Sequence, residues 1–287
     1  MRIAKIEVDP KIISSKPSDG LRWRTRFDFA ISENGKVGLF SSKTKKVIEI
    51  DKCSIALNKI NNSDIFSKKW NGSDRVRVAA SSSDQLNISR GKKTIAGPKK
   101  IREVVGSNFY DISPQSFWQS HTQAPSILSD LVVDFMKLKP GDIVCDLYGG
   151  VGLFTMPISK KIGNDGHVHL VELSSHSVRD AYKIFKDYTN VSIHRGNVDR
   201  KLPKINNIDI IVLDPPRTGA GKEVVNQIIS KKPRAVVYIS CDPASLARDA
   251  KYLQDSDYEL DKINAIDLFP MTHHVESIVR FIPKKKN

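Results

Sequence analysis

The sequence predicts an α/β protein in two parts. A doubly wound, mostly parallel sheet is expected in residues 116–287, preceded by a smaller, basic, β-rich domain in residues 1–115. Strand-like and helix-like segments alternate from about residue 116, which favours crossover units with helices on both faces of a parallel sheet. Short alternating segments separated by turn formers dominate residues 21–50. The excess of positive charge lies almost wholly in the first part.

The charge distribution indicates a polyanionic partner. The formal net charge is +14, with 23 lysines and arginines against 12 aspartates and glutamates in residues 1–115. Residues 116–287 carry 23 lysines and arginines against 20 aspartates and glutamates. A basic module attached to a near-neutral one is typical of nucleic-acid binding, although a lysine-rich soluble surface would give the same count. No basic amphipathic helix favours an anionic membrane instead.

The composition is typical of a soluble globular protein. Hydrophobic residues make up 39% and charged residues 27%. No stretch approaches the roughly 18 apolar residues of a membrane span. The N-terminus lacks the apolar core of a signal peptide. The three cysteines are far apart and odd in number, which favours reduced thiols over a disulfide framework or a cysteine-rich metal site. We therefore expect a cytoplasmic monomer with no membrane partner and no metal.

The basic part contains short strands. "LRWRTRFDFAI" alternates, and "KVGLF" and "KVIEID" are short β-forming segments between the turn formers of "SENG" and "SSKTK". Residues 81–100 are polar, basic and rich in turn formers, which predicts a hairpin with loops or a mobile connection.

The second part reads as strands and helices in alternation. A helix is predicted over 125–137, beginning at a proline. A further helix, "SSHSVRDAYKIFKDY", has Ser174 or Ser175 as its cap, and others are predicted at 220–231 and 243–254. The predicted strands are "DIVCDL", "HVHLVEL", "VSIHRGN", "IDIIVLDPP", "AVVYISC" and "ESIVRFIP".

A glycine-rich turn follows the first of these strands. "DLYGGVG" places Asp146 at the strand end and spaces its glycines G-G-x-G, unlike the G-x-G-x-x-G of a dinucleotide fold. Glu172 ends the next strand, where a carboxylate can accept two hydrogen bonds from ribose hydroxyls. The combination is similar to the S-adenosylmethionine site of class I methyltransferases, in which Asp146 would face the methionine amino group. Glycines also occur in tight turns that bind nothing, so the motifs later in the chain must distinguish a cofactor site from a simple turn.

Two loops compete for the reacting group. "VLDPPRTGAG" resembles the Asp/Asn-Pro-Pro-aromatic motif of methyltransferases that act on base amines, but Arg217 stands at the aromatic position. RNA cytosine-5 enzymes place one cysteine in this loop and another after the next strand, and this loop has none. A single cysteine, Cys241, follows the next strand. It is either a buried apolar filler or a nucleophile at the ligand-binding edge of the sheet.

Four segments together resemble the RNA uracil-5 methyltransferase family, which makes 5-methyluridine in tRNA and rRNA. They are "SFWQSHTQA", "DPPRTGAG", "YISCDPASLARD" and "DLFPMTHHVES". The resemblance covers residues 105–283 well and 20–60 weakly. It implies the class I S-adenosylmethionine methyltransferase fold, with a mostly parallel seven-stranded sheet, and an RNA partner, either rRNA or tRNA.

The resemblance also implies a mechanism and its residues. Uracil C5 becomes nucleophilic when a thiolate adds to C6, and a base must later remove the C5 proton. By resemblance Cys241 is the nucleophile and Glu276 the base. The cofactor contacts carried over are Gln119, Tyr148, Glu172 and Asp214. A helix starting at "DPASLARD" would favour the Cys241 thiolate.

Two departures from the family are expected. Many members carry a four-cysteine iron–sulfur cluster and an N-terminal nucleic-acid-binding barrel, and neither is expected in this chain. RNA capture would then depend on the basic residues 1–115. The competing interpretations are a base-amine methyltransferase using Asp214-Pro-Pro, and an RNA-binding or RNA-folding module with secondary methylation. Arg217 and Arg248 are candidates for phosphate contact or thiolate stabilisation, or ordinary surface arginines.

Overall fold

The computed structural model describes residues 9–17, 19–42, 44, 46–72 and 75–285. These residues form two compact units. Unit 1 contains the described residues up to Ser15 and those from Pro125 onward, and unit 2 runs from Lys16 to Ala124.

Sixteen strands, seven α-helices and one 3₁₀ turn make up the described part of the chain. Strand β1 covers Lys11–Ser14. Unit 2 contributes β2 (Arg26–Ile31), β3 (Val37–Phe40), β4 (Val47–Glu49), α1 (Asn58–Asn61), β5 (Val76–Ala80), β6 (Leu86–Arg90), β7 (Lys93–Ala96), β8 (Ile101–Val105) and β9 (Asn108–Ile112). The chain then forms α2 (Ala124–Met136), β10 (Ile143–Leu147), α3 (Thr155–Ile162), β11 (His167–Glu172), α4 (Ser175–Ile184), β12 (Val191–Arg195), α5 (Val198–Lys201) and the 3₁₀ turn (Leu202–Lys204). It ends with β13 (Ile210–Leu213), α6 (Gly221–Lys231), β14 (Ala235–Ser240), α7 (Pro243–Gln254), β15 (Tyr258–Asp267) and β16 (Glu276–Pro283).

The sheet of unit 1 confirms the predicted doubly wound, mostly parallel architecture. Its order over the described residues is β1-β15-β16-β14-β13-β10-β11-β12, and only β16 runs antiparallel to its neighbours. Every residue of the central strands β13 and β14 is buried. Their continuous β-branched and apolar sequences, "IIVL" and "AVVYIS", are what a parallel strand covered on both faces requires.

Two strands of this sheet are absent from the sequence-based prediction. Strand β15, "YELDKINAID", has charged side chains on its exposed positions, so its sequence alone does not indicate a buried strand. Strand β1 joins the seven strands of residues 125–287 as an eighth, with Lys11 opposite Asn264 and parallel to it. The structure thus divides the chain at residues 15/16 and 124/125, whereas the sequence predicts a boundary at 115/116.

Unit 2 is built on a six-stranded sheet, β4-β3-β2-β5-β6-β7, beside the hairpin β8-β9, over the residues described. Alternate residues of β2 and β5 fill its core, among them Phe27, Phe29, Val76 and Val78. The predicted hairpin in 81–100 is present as β6 and β7.

The predicted helices begin and end close to their expected positions. Ser174 caps α4 by accepting a hydrogen bond from the Ser177 amide, and Asp242 caps α7 in the same way through Ser245. Over the part of the chain that the structure describes, no helix combines the length and apolar character of a membrane span.

Candidate active site

Four neighbouring strands end at one edge of the unit 1 sheet. In register, Leu147 lies opposite Val171 and Leu213, and Leu213 lies opposite Tyr238. Because the strands are parallel, the residues at their carboxyl ends lie side by side, at the edge where open α/β sheets bind ligands. These residues are Tyr148, Glu172, Asp214 and Cys241.

The turn after β10 needs its glycines. A Cβ on Gly149 would lie 2.9 Å from Leu170 Cγ and 3.0 Å from Asp146 Cγ. Gly152 has a φ of +94°, and a Cβ there would overlap the Phe185 ring. The turn therefore lies close against β11 and α4, and its backbone is open to a ligand approaching from the strand ends.

Asp146 is a fully buried carboxyl with one unused oxygen. Its Oδ2 accepts a hydrogen bond of 2.6 Å from Thr155 Oγ1. Its Oδ1 is buried and has no hydrogen-bond partner among the described residues. Burial raises the pKa of this carboxyl to about 7. A buried acceptor of this kind costs free energy unless a donor reaches it, so Asp146 Oδ1 is a candidate position for a ligand's donor group.

Glu172 is held at the end of β11 by two backbone amides. Oε2 accepts from Gly150 N at 2.9 Å, and Oε1 accepts from Ser174 N at 2.6 Å. A carboxylate retains lone pairs beyond these two bonds. Leu173, which follows it, is 61% exposed and presents an apolar surface beside the carboxylate.

Tyr148 adopts the left-handed conformation, with a φ of 59°. It is partly buried and packs against the core of unit 1. Burial, followed by the charges of Asp249 and Asp199, raises the pKa of its hydroxyl to about 12. Its side chain is therefore a neutral phenol at the strand ends.

The antiparallel pairing of β14 and β16 brings the predicted nucleophile and base together. Ser240 lies opposite Ser277, so the next position of the same register places Cys241 opposite Glu276. Glu276 is 3% exposed, whereas Cys241 is half-buried. Asp214, after β13, is also partly exposed and acts on both groups through its charge.

Burial and negative charge raise the pKa of both groups. Burial raises the pKa of the Cys241 thiol, the carboxylates of Glu276 and Asp214 add to this, and Arg217 is the nearby side chain whose charge opposes it. Burial, then the charge of Asp214, raises the pKa of Glu276 well above that of an ordinary glutamate. The expected start of helix α7 is present. The pKa of the Cys241 thiol is nevertheless raised, because burial and the charges of Glu276 and Asp214 outweigh the charge of Arg217 and a backbone hydrogen bond.

An exposed loop between β15 and β16 forms the rim of this site. His274 Nε2 accepts a hydrogen bond from Arg217 at 2.9 Å. The ring centroids of His273 and His274 are 4.1 Å apart, and Phe269 lies edge-on to His274. Arg217 is thus hydrogen-bonded to the rim loop.

A buried aspartate fixes the loop that carries Arg217. Asp249 Oδ2 accepts from Tyr238 Oη at 2.7 Å, from Ala220 N at 2.8 Å and from Gly221 N at 3.2 Å. Its Oδ1 accepts from Arg248 Nε at 2.9 Å. A second nitrogen of Arg248 donates to Thr218 O at 2.7 Å. Arg248 is therefore hydrogen-bonded both to Asp249 and to the loop that carries Arg217.

The structure brings most of the predicted residues together. Cys241, Glu276, Asp214, Tyr148 and Glu172 belong to unit 1 and to its strand-end edge. Gln119 belongs to unit 2, where it is 8% exposed.

Sequence reasoning did not find the loop network of Asp249 and Tyr238. The sequence signal for it is that Asp249 is the last residue of "YISCDPASLARD", one of the four segments that resemble the family. Cys145, within strand β10, is fully buried. Within the described ranges, no group of three or more His, Cys, Asp and Glu side chains could hold a metal ion.

Comparisons with known proteins agree on one family. A family model described as tRNA (uracil-5-)-methyltransferase matches residues 81–284. An uncharacterized RNA methyltransferase of Streptomyces avermitilis is 33% identical, over 92% of this chain and 68% of its own. Another from Streptomyces coelicolor is 32% identical, over 92% of this chain and 64% of its own. The chain thus spans about two thirds of the length of these curated relatives.

One solved structure shares the fold over nearly the whole chain. The Pyrococcus abyssi tRNA (uracil-54, C5)-methyltransferase, in complex with S-adenosyl-L-homocysteine, superposes with a TM-score of 0.76 at 22% identity. The match covers 98% of this chain and 80% of that one.

Proposed function

This chain belongs to the tRNA (uracil-5-)-methyltransferase family, and from that premise we propose that it transfers a methyl group from S-adenosylmethionine to C5 of a uridine in RNA through a covalent adduct on Cys241. The observation that supports the proposal is the β14–β16 register, which ends at the pair Ser240–Ser277, with Cys241 and the buried Glu276 as the next residues. The family description and the Pyrococcus abyssi neighbour both name tRNA. We therefore propose tRNA as the first substrate to test, and rRNA as the second.

Residues at the strand ends fit the methyl donor. The unpartnered Oδ1 of Asp146 would accept from the methionine ammonium, and Glu172 would accept from the ribose hydroxyls. The glycine turn at Gly149–Gly152 leaves room for close approach. When bound, S-adenosylmethionine supplies an electrophilic methyl group on a sulfonium. Gln119 and Tyr148 remain proposed contacts on the strength of the family motif.

The chemistry of Cys241 explains why a thiol is needed. After losing its proton to solvent, the sulfur forms a bond to uracil C6, and the C5–C6 π electrons move toward C5 and O4. C5 then bonds the methyl carbon, and the bonding pair of that methyl group stays with the donor sulfur. The adduct now carries both a methyl group and a hydrogen on C5.

Glu276 completes the cycle as the base. Its carboxylate removes the C5 hydrogen, the C5–C6 double bond re-forms, and the C6–S bond breaks to release the Cys241 thiolate. A carboxylate with a raised pKa is a stronger base than an ordinary glutamate, which suits the abstraction of a carbon-bound proton. Asp214, whose charge raises that pKa, is also proposed to touch the base.

Nucleoside mass spectrometry tests the proposal directly. Unmodified tRNA and rRNA transcripts are incubated with the protein and methyl-labelled S-adenosylmethionine, then digested. We expect labelled 5-methyluridine from the wild-type protein and none from Cys241→Ala. Cys53→Ala is the matched control, since Cys53 is also a partly buried free thiol but belongs to unit 2.

Three results would contradict the proposal. Label in a methylated base amine would move the chemistry to Asp214-Pro-Pro. Full activity of Cys241→Ala would exclude the covalent route. RNA binding without any methylated nucleoside would favour an RNA-binding module.

A further inference from the structure

The loop between β15 and β16, residues 268–275, exposes apolar side chains beside a buried reaction centre. Met271 is 74% exposed, and Val275, immediately before Glu276, is 41% exposed. Glu276, in contrast to Met271 and Val275, is only 3% exposed. Large apolar side chains held in water next to a functional site are typical of a contact surface.

Local hydrogen bonds hold Met271 outward. Thr272 N and Thr272 Oγ1 both donate to Phe269 O, at 3.1 and 2.7 Å. His274 N donates to Thr272 Oγ1 at 3.3 Å. Met271 itself has a φ of 64°, a conformation that non-glycine residues rarely adopt. Strain of this kind persists where the surroundings enforce it, and it concentrates at ligand-contacting positions.

This turn belongs to the rim of the catalytic pair. The Arg217–His274 hydrogen bond joins the loop to the residue whose positive charge acts on Cys241. The His273 and His274 rings, whose centroids are 4.1 Å apart and whose planes are tilted by 44°, follow the turn in the chain and precede β16. Met271 therefore projects from the loop that is joined to Arg217 beside this pair.

A uracil stacked in RNA cannot reach this pair. Cys241 is half-buried and Glu276 is buried, so C6 and C5 reach them only when the nucleotide leaves its stack. Extrusion leaves a gap between the flanking bases. Proteins that unstack nucleic acids commonly insert an apolar side chain, including methionine, at the unstacked step.

We infer that Met271 inserts into the gap that the target uridine leaves and holds the RNA in its opened form. The inference rests on the proposed uridine methylation. Met271 is in this view a positioning residue: it contacts the bases on either side of the target and not the reacting atoms. Its contribution should scale with how strongly the target base is stacked in the free RNA.

The test compares one target uridine in two RNAs. The first is an unmodified tRNA transcript, and the second is a short, unstructured oligonucleotide containing the same target uridine. For Met271→Ala we expect kcat/KM to fall by about tenfold on the folded tRNA, since extrusion has a free-energy cost that the wedge partly offsets. On the oligonucleotide the change should stay within about twofold, because little stacking is disrupted there. Met271→Leu should restore most of the activity.

Ile12→Ala is the matched control, since Ile12 is 73% exposed on strand β1 of the same unit. It should leave both rates unchanged. A 2-aminopurine base placed beside the target uridine should brighten on binding to wild type and less so on binding to Met271→Ala.

An equal loss on both RNAs, or no loss on either, would overturn the inference. Unchanged S-adenosylmethionine binding by calorimetry shows that the variant is folded. Wild-type activity on the oligonucleotide serves as the internal standard. If the wild-type protein did not methylate the oligonucleotide, that result would count against the proposed function itself, separately from the role of Met271.

Discussion

Cys241 and Glu276 share one electrostatic environment, which favours their protonated forms before RNA binds. Burial raises both pKa values, the charge of Asp214 adds to both shifts, and the charge of Glu276 adds to that of the thiol. A resting enzyme with a neutral thiol is less exposed to oxidation than one with a standing thiolate.

Replacing Glu276 with glutamine should separate the two halves of the reaction. The substitution keeps the size of the side chain and removes the base. Cys241 should still attack C6 and the methyl group should still transfer, but without proton removal the thiolate cannot leave quickly. We expect a covalent protein–RNA adduct that survives denaturing electrophoresis and carries label from the donor's methyl group.

The double variant Cys241→Ala/Glu276→Gln is the control and should form no adduct. Normal turnover of Glu276→Gln, or an adduct without methyl label, would assign the base to another group. Asp214, or a water held by His273 or His274, would then be the next candidate.

The raised pKa of Asp146, about 7, predicts how cofactor binding depends on pH. A protonated carboxyl cannot balance the methionine ammonium, so affinity should be complete above this pKa and fall below it. One unit below the pKa about a tenth of the carboxyl is ionised, so calorimetry should find roughly tenfold weaker binding of S-adenosylmethionine.

Asp146→Asn serves as the comparison for this pH dependence. It should bind weakly at every pH and show no such slope. A wild-type affinity that is flat from about pH 6 to about pH 8 would place the ammonium away from Asp146.

At the scale of elements, the loop 217–221 depends on helix α7. Asp249 receives two backbone amides, a phenol and the Arg248 guanidinium. Gly219, with a φ of +76°, lies so near that a Cβ would be 2.6 Å from Asp249 Oδ2. The buried Asp249 therefore helps to set the position of this loop and with it the position of Arg217.

Asp249→Asn should destabilise the protein and slow methyl transfer. Removing the charge leaves Arg248 without its partner, and breaking a buried charged network costs about 3 kcal/mol. Denaturant unfolding should show this decrease in the free energy of unfolding, and kcat should fall more than the affinity for S-adenosylmethionine.

Asp255→Asn, on the same stretch of chain, is the control. Asp255 pairs with Lys251 on the surface, where such pairs contribute about 0.5 kcal/mol. Equal unfolding free energies for Asp249→Asn and Asp255→Asn would show that the network does not hold the loop.

The elements that sequence analysis predicts are those whose local pattern and tertiary role agree. Strands β13 and β14 are continuous apolar segments, and helices α6 and α7 begin within a residue of their predicted starts. Strand β15 is missed by the sequence analysis because its composition does not indicate a strand. It becomes one through its pairing with β1 and β16. The motifs make Cys241 and Glu276 the candidate catalytic pair, but the direction of the pKa shift of Cys241 depends on neighbours that are distant in the sequence.

At the scale of the whole molecule, the charge asymmetry predicts where RNA phosphates bind. Lys92, Lys93 and Lys99 are exposed on or beside the β6–β7 hairpin, with Lys100 following. If this region captures RNA, the logarithm of affinity should fall linearly with the logarithm of salt concentration. Substituting the four lysines with glutamine should flatten that slope by about 0.7 for each RNA phosphate that is no longer neutralised.

Four exposed lysines of unit 1 offer a control with the same change of charge: Lys161, Lys183, Lys186 and Lys204. Their substitution should leave the slope nearly intact. The reverse result would move the RNA-binding surface to unit 1.

Strand β1 has a consequence for the timing of synthesis. Residues 11–14 are translated before all of unit 2, yet they pair with residues 264–267, close to the end of the described chain. At the ribosome this strand has no partner until β15 emerges, so the edge it completes is among the last parts of the sheet to close. Unit 2, whose strands pair only with one another, has all its partners long before then. Synthesis therefore delivers a complete basic module while the sheet that carries Cys241 and Glu276 is still unfinished.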